Sequence, residues 1–291
     1  MNDRQKYFFR CCAIAAIVFA ASSAVSAQTA PSLGAAQTFA VLGGSAVTCT
    51  DSVLSGDVGV SPTPVFTNVR CTVAGTAHVN DQTAINARAA FLSAYDSLQL
   101  TPCSQTISTA AFTNNVPALG PLPPGVYCFP AAATFTDTTL TLDGSTNPNG
   151  IWIFKVGAAL SGNGFQVVMA NGAQPCNVFW AVGAGVTLTT STLPPLFQGN
   201  ILAGGPTGST TITGGSVIGR VLANDAVTLT GTNIHGTCAL AGQGNAACDE
   251  DDKDEHHRDK DKDHDKDRDK DKDKDKDKDK HGDKDREHHD H

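Results

Sequence analysis

A mostly β chain is predicted, wound as a β-solenoid with one long α-helix packed alongside and a disordered C-terminal tail. Three observations carry that expectation. Short strands broken by Gly, Pro and Asn fill the middle of the chain, two kinds of strand alternate there at a regular interval, and a single stretch has helical periodicity.

The N-terminus reads as a leader. Residues 1–10, MNDRQKYFFR, are polar and basic, residues 11–25 are apolar, and Val25-Ser26-Ala27 ends on small residues, the pattern of a secretory signal peptide cut after Ala27. The apolar run is short of the roughly 20 residues a spanning helix needs. No later stretch comes near it, so the sequence predicts no transmembrane segment and an exported product, secreted or periplasmic.

Composition divides the remainder into a core, 28–247, and a tail, 248–291. The core holds seven Asp, one Lys, three Arg and no Glu, whereas about a quarter of a typical domain is charged. Its surface must therefore be built from Thr, Ser, Asn, Gly and Ala. Most of the net charge of −8 belongs to the tail, and no basic face exists to hold nucleic acid.

The helix is expected over 80–98. Asn80 can cap it, Asp81 suits its positive end, and Ile85, Phe91, Leu92, Tyr95 and Leu98 fall on one stripe that needs a surface to cover it. Arg88 shares that stripe, so its stem should lie along the apolar face.

From residue 127 to 236 two strand types alternate. One is Thr-aliphatic-Thr: Thr139-Leu140-Thr141, Thr187-Leu188-Thr189, Thr211-Ile212-Thr213 and Thr228-Leu229-Thr230. The other is an apolar run such as Ile151-Trp152-Ile153-Phe154 or Val178-Phe179-Trp180. Aligning Phe154-Lys155-Val156-Gly157 with Trp180-Ala181-Val182-Gly183 places Ser161-Gly162-Asn163 in the slot of Thr187-Leu188-Thr189, which predicts five rungs starting at 139, 161, 187, 211 and 228. A strand repeat of that length predicts stacked coils, because no single coil can bury its inward Leu or Ile alone.

The tail alternates Asp and Lys and carries seven His. Strict alternation sets like charges four residues apart, which disfavours a helix, and the composition predicts disorder. The tail reads as a solvated spacer that keeps the protein soluble, or as an Asp/His surface that recruits divalent cations or mineral. Seven Cys follow the leader, and an oxidising compartment makes disulfides the default. The nearest-neighbour pairs Cys49–Cys71 and Cys103–Cys128 are candidate staples, although spacing leaves the connectivity open and the odd count leaves one thiol over.

In a strand, residues i and i+2 point the same way, so both Thr of each triplet face outward and the aliphatic residue inward. Stacked coils would set Thr139, Thr141, Thr187, Thr189, Thr211, Thr213, Thr228 and Thr230 in two ranks on a flat, uncharged grid. Such a grid suits an extended surface, with ice first among the candidates, and needs neither cofactor nor metal. A single chain, acting as a monomer, supplies the whole face.

Five segments resemble the ice-binding-like family: Thr38-Phe39-Ala40-Val41-Leu42, Gly56-Asp57-Val58-Gly59-Val60-Ser61-Pro62, Leu122-Pro123-Pro124-Gly125-Val126-Tyr127, Ile151-Trp152-Ile153-Phe154 and Gly219-Arg220-Val221-Leu222-Ala223. They keep that family's order and span about 33–240. The resemblance implies a right-handed, triangular β-solenoid with its helix alongside, and non-catalytic ice binding through one flat face. Active members carry Thr-Ala/Gly-x-Thr/Asn on that face. The matching stretches here, Ala184-Gly185-Val186-Thr187 and Asp225-Ala226-Val227-Thr228, keep the final Thr but have Ala or Asp at the first position, which predicts weakened activity with a charge from Asp225 at the rim. The connection from Val69 to Val79 is too short for the capping subdomain of some members.

Two other function classes bear on a chain of this kind. Solenoids that cleave polysaccharides need paired carboxylates or a calcium cluster, but the seven core Asp are scattered, with no two nearer in sequence than Asp137 and Asp143, and His78 and His235 are the core's only histidines. No G-x-S-x-G elbow or P-loop occurs, so no enzyme is expected. An extracellular adhesion or matrix protein, meeting polysaccharide, mineral or a cell surface with the same face, is the alternative.

Overall fold

The computed structural model describes residues 29–190 and 196–236. The leader over 1–27 and the tail over 248–291 lie outside the described residues. What is described is a three-sided β-solenoid. One side is a nine-stranded sheet, the second an eight-stranded sheet, and the third is made of a two-stranded and a five-stranded sheet. A single coil shows the path: Trp152–Val156 on the first side, Leu160–Asn163 on the second, Gln166–Ala170 on the third, then Val178–Val182 back on the first. The ladders between successive coils are parallel and in register, except where Phe39–Gly43 meets Asp57–Val60 and the register shifts between Phe39 and Val41.

Chain order and coil order differ. The N-terminal coil, Phe39–Gly43, Val47–Thr50 and Val53–Ser55, docks against the last described coil, Val221–Ala223, Val227–Thr230 and Asn233–His235. A further coil starting at Asp57–Val60 and the strand Ala77–Val79 extend that end. The helix Gln82–Leu100 then carries the chain back along the nine-stranded sheet to Gln105–Thr106 at its far edge. Nineteen residues of helix span roughly 28 Å, most of the roughly 38 Å that nine stacked strands occupy. The helix is thus the return leg that lets both ends of the chain build one solenoid.

The helix starts two residues later than its sequence suggests. Asp81, not Asn80, is the cap and accepts from Ala84 N at 2.8 Å, while Asn80 takes a left-handed conformation with φ +50°. That hydrogen bond, followed by the contact from His78 Nδ1, holds the Asp81 carboxyl below its ordinary value. The buried stripe is Ala84, Ala87, Phe91, Ala94 and Leu98, whereas Ile85 is exposed. Three alanines bring the helix axis close to the sheet, where Phe91 and Leu98 meet Leu42, Leu202, Leu222 and Ile153. Arg88 does reach along the sheet, its guanidinium bonding Asn224 Oδ1 at 2.5 Å.

Lys155, the core's one lysine, points outward from the nine-stranded sheet and donates to Gln99 O at 2.6 Å and Thr101 O at 3.0 Å. Its ammonium sits on carbonyls the last helical turn leaves open, and desolvation there lowers its pKa. Lys155→Met keeps the stem and removes the donors, so it is expected to cost roughly 1–2 kcal/mol of stability. A chemical-denaturation midpoint that drops at unchanged slope would report this, and an unmoved midpoint would deny the ammonium that role.

Inside the coils, side chains stack by type. Tyr127, Phe154 and Trp180 form one column, with ring centroids 5.4 and 4.1 Å apart, and Phe112, Phe135 and Phe165 another, at 4.9 and 4.1 Å. At the corner between the nine- and eight-stranded sheets, a Cβ on Gly205 would strike the carbonyl of Gly183, one on Gly183 that of Gly157, and one on Gly157 that of Pro130. The Val-Gly repeat at 156–157 and 182–183 therefore marks a corner where only glycine allows the coils to close up.

Two disulfides staple the ends. Cys49–Cys71 joins the N-terminal coil to the outermost one, and Cys103–Cys128 pins the chain after the helix to the first strand of the next coil.

Candidate functional site

The eight-stranded sheet turns a Thr-rich face outward. In stacking order its strands are Phe66–Val69, Val47–Thr50, Val227–Thr230, Thr210–Thr213, Val186–Thr189, Leu160–Asn163, Ala133–Thr136 and Ala111–Thr113. The registers place Thr67, Thr48, Thr228, Thr211, Thr187, Ser161, Thr134 and Ala111 in one outward rank. The second rank is Val69, Thr50, Thr230, Thr213, Thr189, Asn163, Thr136 and Thr113. Between the ranks, Cys49, Leu229, Ile212, Leu188, Phe135 and Phe112 point inward and are buried. The pitch is about 4.8 Å between strands and roughly 6.8 Å between ranks, so the face runs for roughly 34 Å.

Six of the eight Thr expected on one face, Thr187, Thr189, Thr211, Thr213, Thr228 and Thr230, lie on this sheet. Thr139 and Thr141 do not. Their strand, Thr139–Asp143, pairs with Gln166–Ala170 on the third side of the coil. The rung stacked on Ser161 and Asn163 is instead Thr134 and Thr136, five residues earlier, which corrects the register that started at 139. Both strands belong to one coil and both read Thr-x-Thr; the chain turns a corner between them at Asp137, with φ +45°. The sequence pattern does not single out residues 48, 50, 67, 113, 134 and 136, which the structure places on this face. Thr48-Cys49-Thr50 and Thr134-Phe135-Thr136 hide the pattern by placing Cys or Phe in the inward slot instead of Leu or Ile.

That corner fixes the second rank. Asn114, Asp137, Gly164, Gly214, Gly231, Asp51 and Arg70 each follow the outward residue closing a strand, and all have φ between +45° and +73°. Their N–H groups run from coil to coil, for example Asp137 N to Asn163 O at 2.8 Å, Gly164 N to Thr189 O at 2.9 Å and Gly231 N to Thr50 O at 2.9 Å. Gly, Asn and Asp tolerate this left-handed geometry. Arg70 is the exception, and its guanidinium meets the Asp51 carboxylate through two 2.6 Å bonds, which hold Asp51 below its ordinary pKa.

Neither rank contains a charged residue. Asp51, Arg70 and Asp137 stand at the corner beside the second rank, and Asp225 at the opposite corner accepts a 2.5 Å hydrogen bond from Ser45 Oγ. A groove at the second-rank corner, floored by Phe165, Leu188, Phe197 and Val217, also lacks an ionisable group. Among the described residues no cluster of three or more His, Cys, Asp or Glu stands close enough to hold a metal. The face offers hydroxyls and methyls on a rigid backbone, with no acid–base pair for catalysis.

Residues 41–235 match the family described as Ice-binding-like. The chain belongs to that family. Over 225 residues the ice-binding-like chain is 36% identical to an ice-binding protein of Nostoc sp. (strain HG1), covering 76% of this chain and 79% of that one. Over 215 residues it is 31% identical to an ice-binding protein of Flavobacterium frigoris (strain PS1), covering 68% and 73%. The ice-binding-like fold also superimposes on the crystal structure of an ice-binding protein from the Antarctic ascomycete Antarctomyces psychrotrophicus, with a TM-score of 0.63, 28% identity, and coverage of 71% of this chain and 98% of that one.

Proposed function

We propose that this protein binds ice, without catalysis, through the outward Thr ranks of its eight-stranded sheet. One observation carries the reading: Thr occupies twelve of the sixteen registered outward positions on a single side of the solenoid, uninterrupted by charge. β-Branching restricts each Thr at χ1, and parallel ladders fix the backbone beneath, so the ordering cost is met at folding and not on binding. Each hydroxyl can hold a water, each methyl can seat one, and the array extends an ordered layer onto a crystal plane. Membership of the ice-binding-like family and identity to ice-binding relatives support the same ligand.

The leader-like N-terminus and the two disulfides support export to an oxidising compartment, and the continuity of the face within one chain supports action as a monomer. The Asp- and His-rich tail is read as a solvating spacer whose Asp and His side chains are able to recruit divalent cations. Calorimetric titration of the mature chain with Zn²⁺ is expected to show binding that a chain ending at residue 247 lacks; equal heats for the two would remove that assignment. The ice reading is tested on the mature protein in a frozen sucrose film. Grain growth is expected to stall at micromolar protein, and growth at the rate of a buffer control, together with retention on a polysaccharide matrix, would favour the adhesion alternative.

A further inference from the structure

One rung of the face departs from the rest. The strand Leu160–Asn163 presents Ser161 and Asn163 where its neighbours on either side present Thr134 with Thr136 and Thr187 with Thr189. Its inward residue is Gly162, because the Phe165 ring takes the space that a Leu or Phe side chain fills in neighbouring rungs. Phe165 stacks on Phe135 at 4.1 Å, and a Cβ on Gly162 would lie 2.9 Å from both Leu188 and Phe165. The backbone itself is regular, with all four residues paired in register on both sides. The departure is therefore confined to two outward side chains. Ser161 supplies a hydroxyl without a methyl. Asn163 is exposed and ends in a longer, planar amide with a broad χ2, so it lacks both the methyl and the single-rotamer stiffness of Thr.

This break is not at an end. Five rungs lie on one side of it, with Thr at every outward position except Val69, and two rungs lie on the other, with Thr at every outward position except Ala111. We infer that the Ser161–Asn163 rung limits the strength of the face by dividing one Thr grid into a five-rung block and a two-rung block. The inference rests on the ice reading above. Thr at both positions would match its neighbours in β-propensity and rotamer, and would give each rank an unbroken run of Thr over seven of the eight strands.

The test is the Ser161→Thr/Asn163→Thr double variant of the mature chain. The protein concentration that half-inhibits recrystallisation is expected to fall about threefold, the gain of roughly one methyl group in contact, with the melting temperature unchanged or higher. Asn163→Thr alone should move the same way by less. An unchanged or higher concentration for both variants, each with an intact melting transition, overturns the inference. Asn163→Asp separates the two levels, because a hydrated carboxylate at that point should abolish activity. If it does so while the Thr variants gain nothing, the face binds ice but this rung does not limit it. If Asn163→Asp is as active as the parent, the rung does not touch ice and the inference falls. A parent protein without activity overturns both readings.

Discussion

Thr213→Tyr is expected to reduce thermal hysteresis by at least about tenfold, the loss typical of disturbing a central contact in an interface, while the melting temperature stays within a degree or two of the parent. Thr213 is exposed, sits in the second rank, and is flanked by Thr189 and Thr230. A phenol there stands proud of the plane and holds the neighbouring hydroxyls off the crystal. Thr189→Tyr, one strand along, should behave alike. Thr139→Tyr is the control: the same substitution, on a Thr that is also exposed and also part of a Thr-Leu-Thr triplet, but on the third side of the coil. It should leave activity untouched. Equal losses from Thr213→Tyr and Thr139→Tyr would mean that bulk anywhere on the solenoid interferes, and the face assignment would fail.

Removing the Cys49–Cys71 bridge is expected to have the largest effect on stability. The bridge closes a 22-residue separation, and a loop of that size is worth about 3 kcal/mol, or a fall in melting temperature of roughly 6–12 °C for a domain of this size. Cys49 is fully buried beneath Thr48 and Thr50, and Cys71 holds the outermost coil, where Asn68 rather than an apolar residue meets the open end and bonds the Cys71 backbone at 2.9 and 3.2 Å. In Cys49→Ala/Cys71→Ala that coil should fray first, taking Thr67 out of the face. Thermal hysteresis should fall while the inner rungs still shape ice. A melting transition within a degree of the parent would show that parallel pairing alone secures the end.

Much of this architecture is readable from residues, and the misreadings have physical causes. The alternation of apolar and Thr-x-Thr strands reveals coils because two sides of the solenoid impose different chemistry: one is covered by the helix, the other meets solvent. It does not reveal which Thr-x-Thr faces which way, since a period-two pattern is the same on every side. The distinguishing residue comes next in the chain. Thr50, Thr136, Thr213 and Thr230 are followed by Asp, Asp, Gly and Gly in the left-handed corner conformation, whereas Thr141 is followed by Leu142, which continues the strand. A Gly, Asn or Asp after the triplet marks the corner and would have excluded Thr139. Thr189, followed by Thr190, is the triplet that rule misses. The buried stripe of the helix is misread for a related reason. Alanine at 84, 87 and 94 reads as neutral in composition but is what a helix needs to lie close on a sheet, so the visible stripe of larger residues pointed to Ile85, which is exposed. The docking of the first coil onto the last was out of reach, because residues about 180 apart in sequence pair there and no local pattern records it.

The most direct measurement is ice affinity itself. A single ice crystal is grown slowly into a dilute solution of fluorescently labelled mature protein, beside labelled Thr213→Tyr and Thr139→Tyr. The parent and Thr139→Tyr should be taken up into the ice and light discrete crystal planes, and Thr213→Tyr should be pushed out with the solute. Exclusion of the parent, or uptake of Thr213→Tyr onto the same planes, would contradict a planar Thr array as the ice-binding surface.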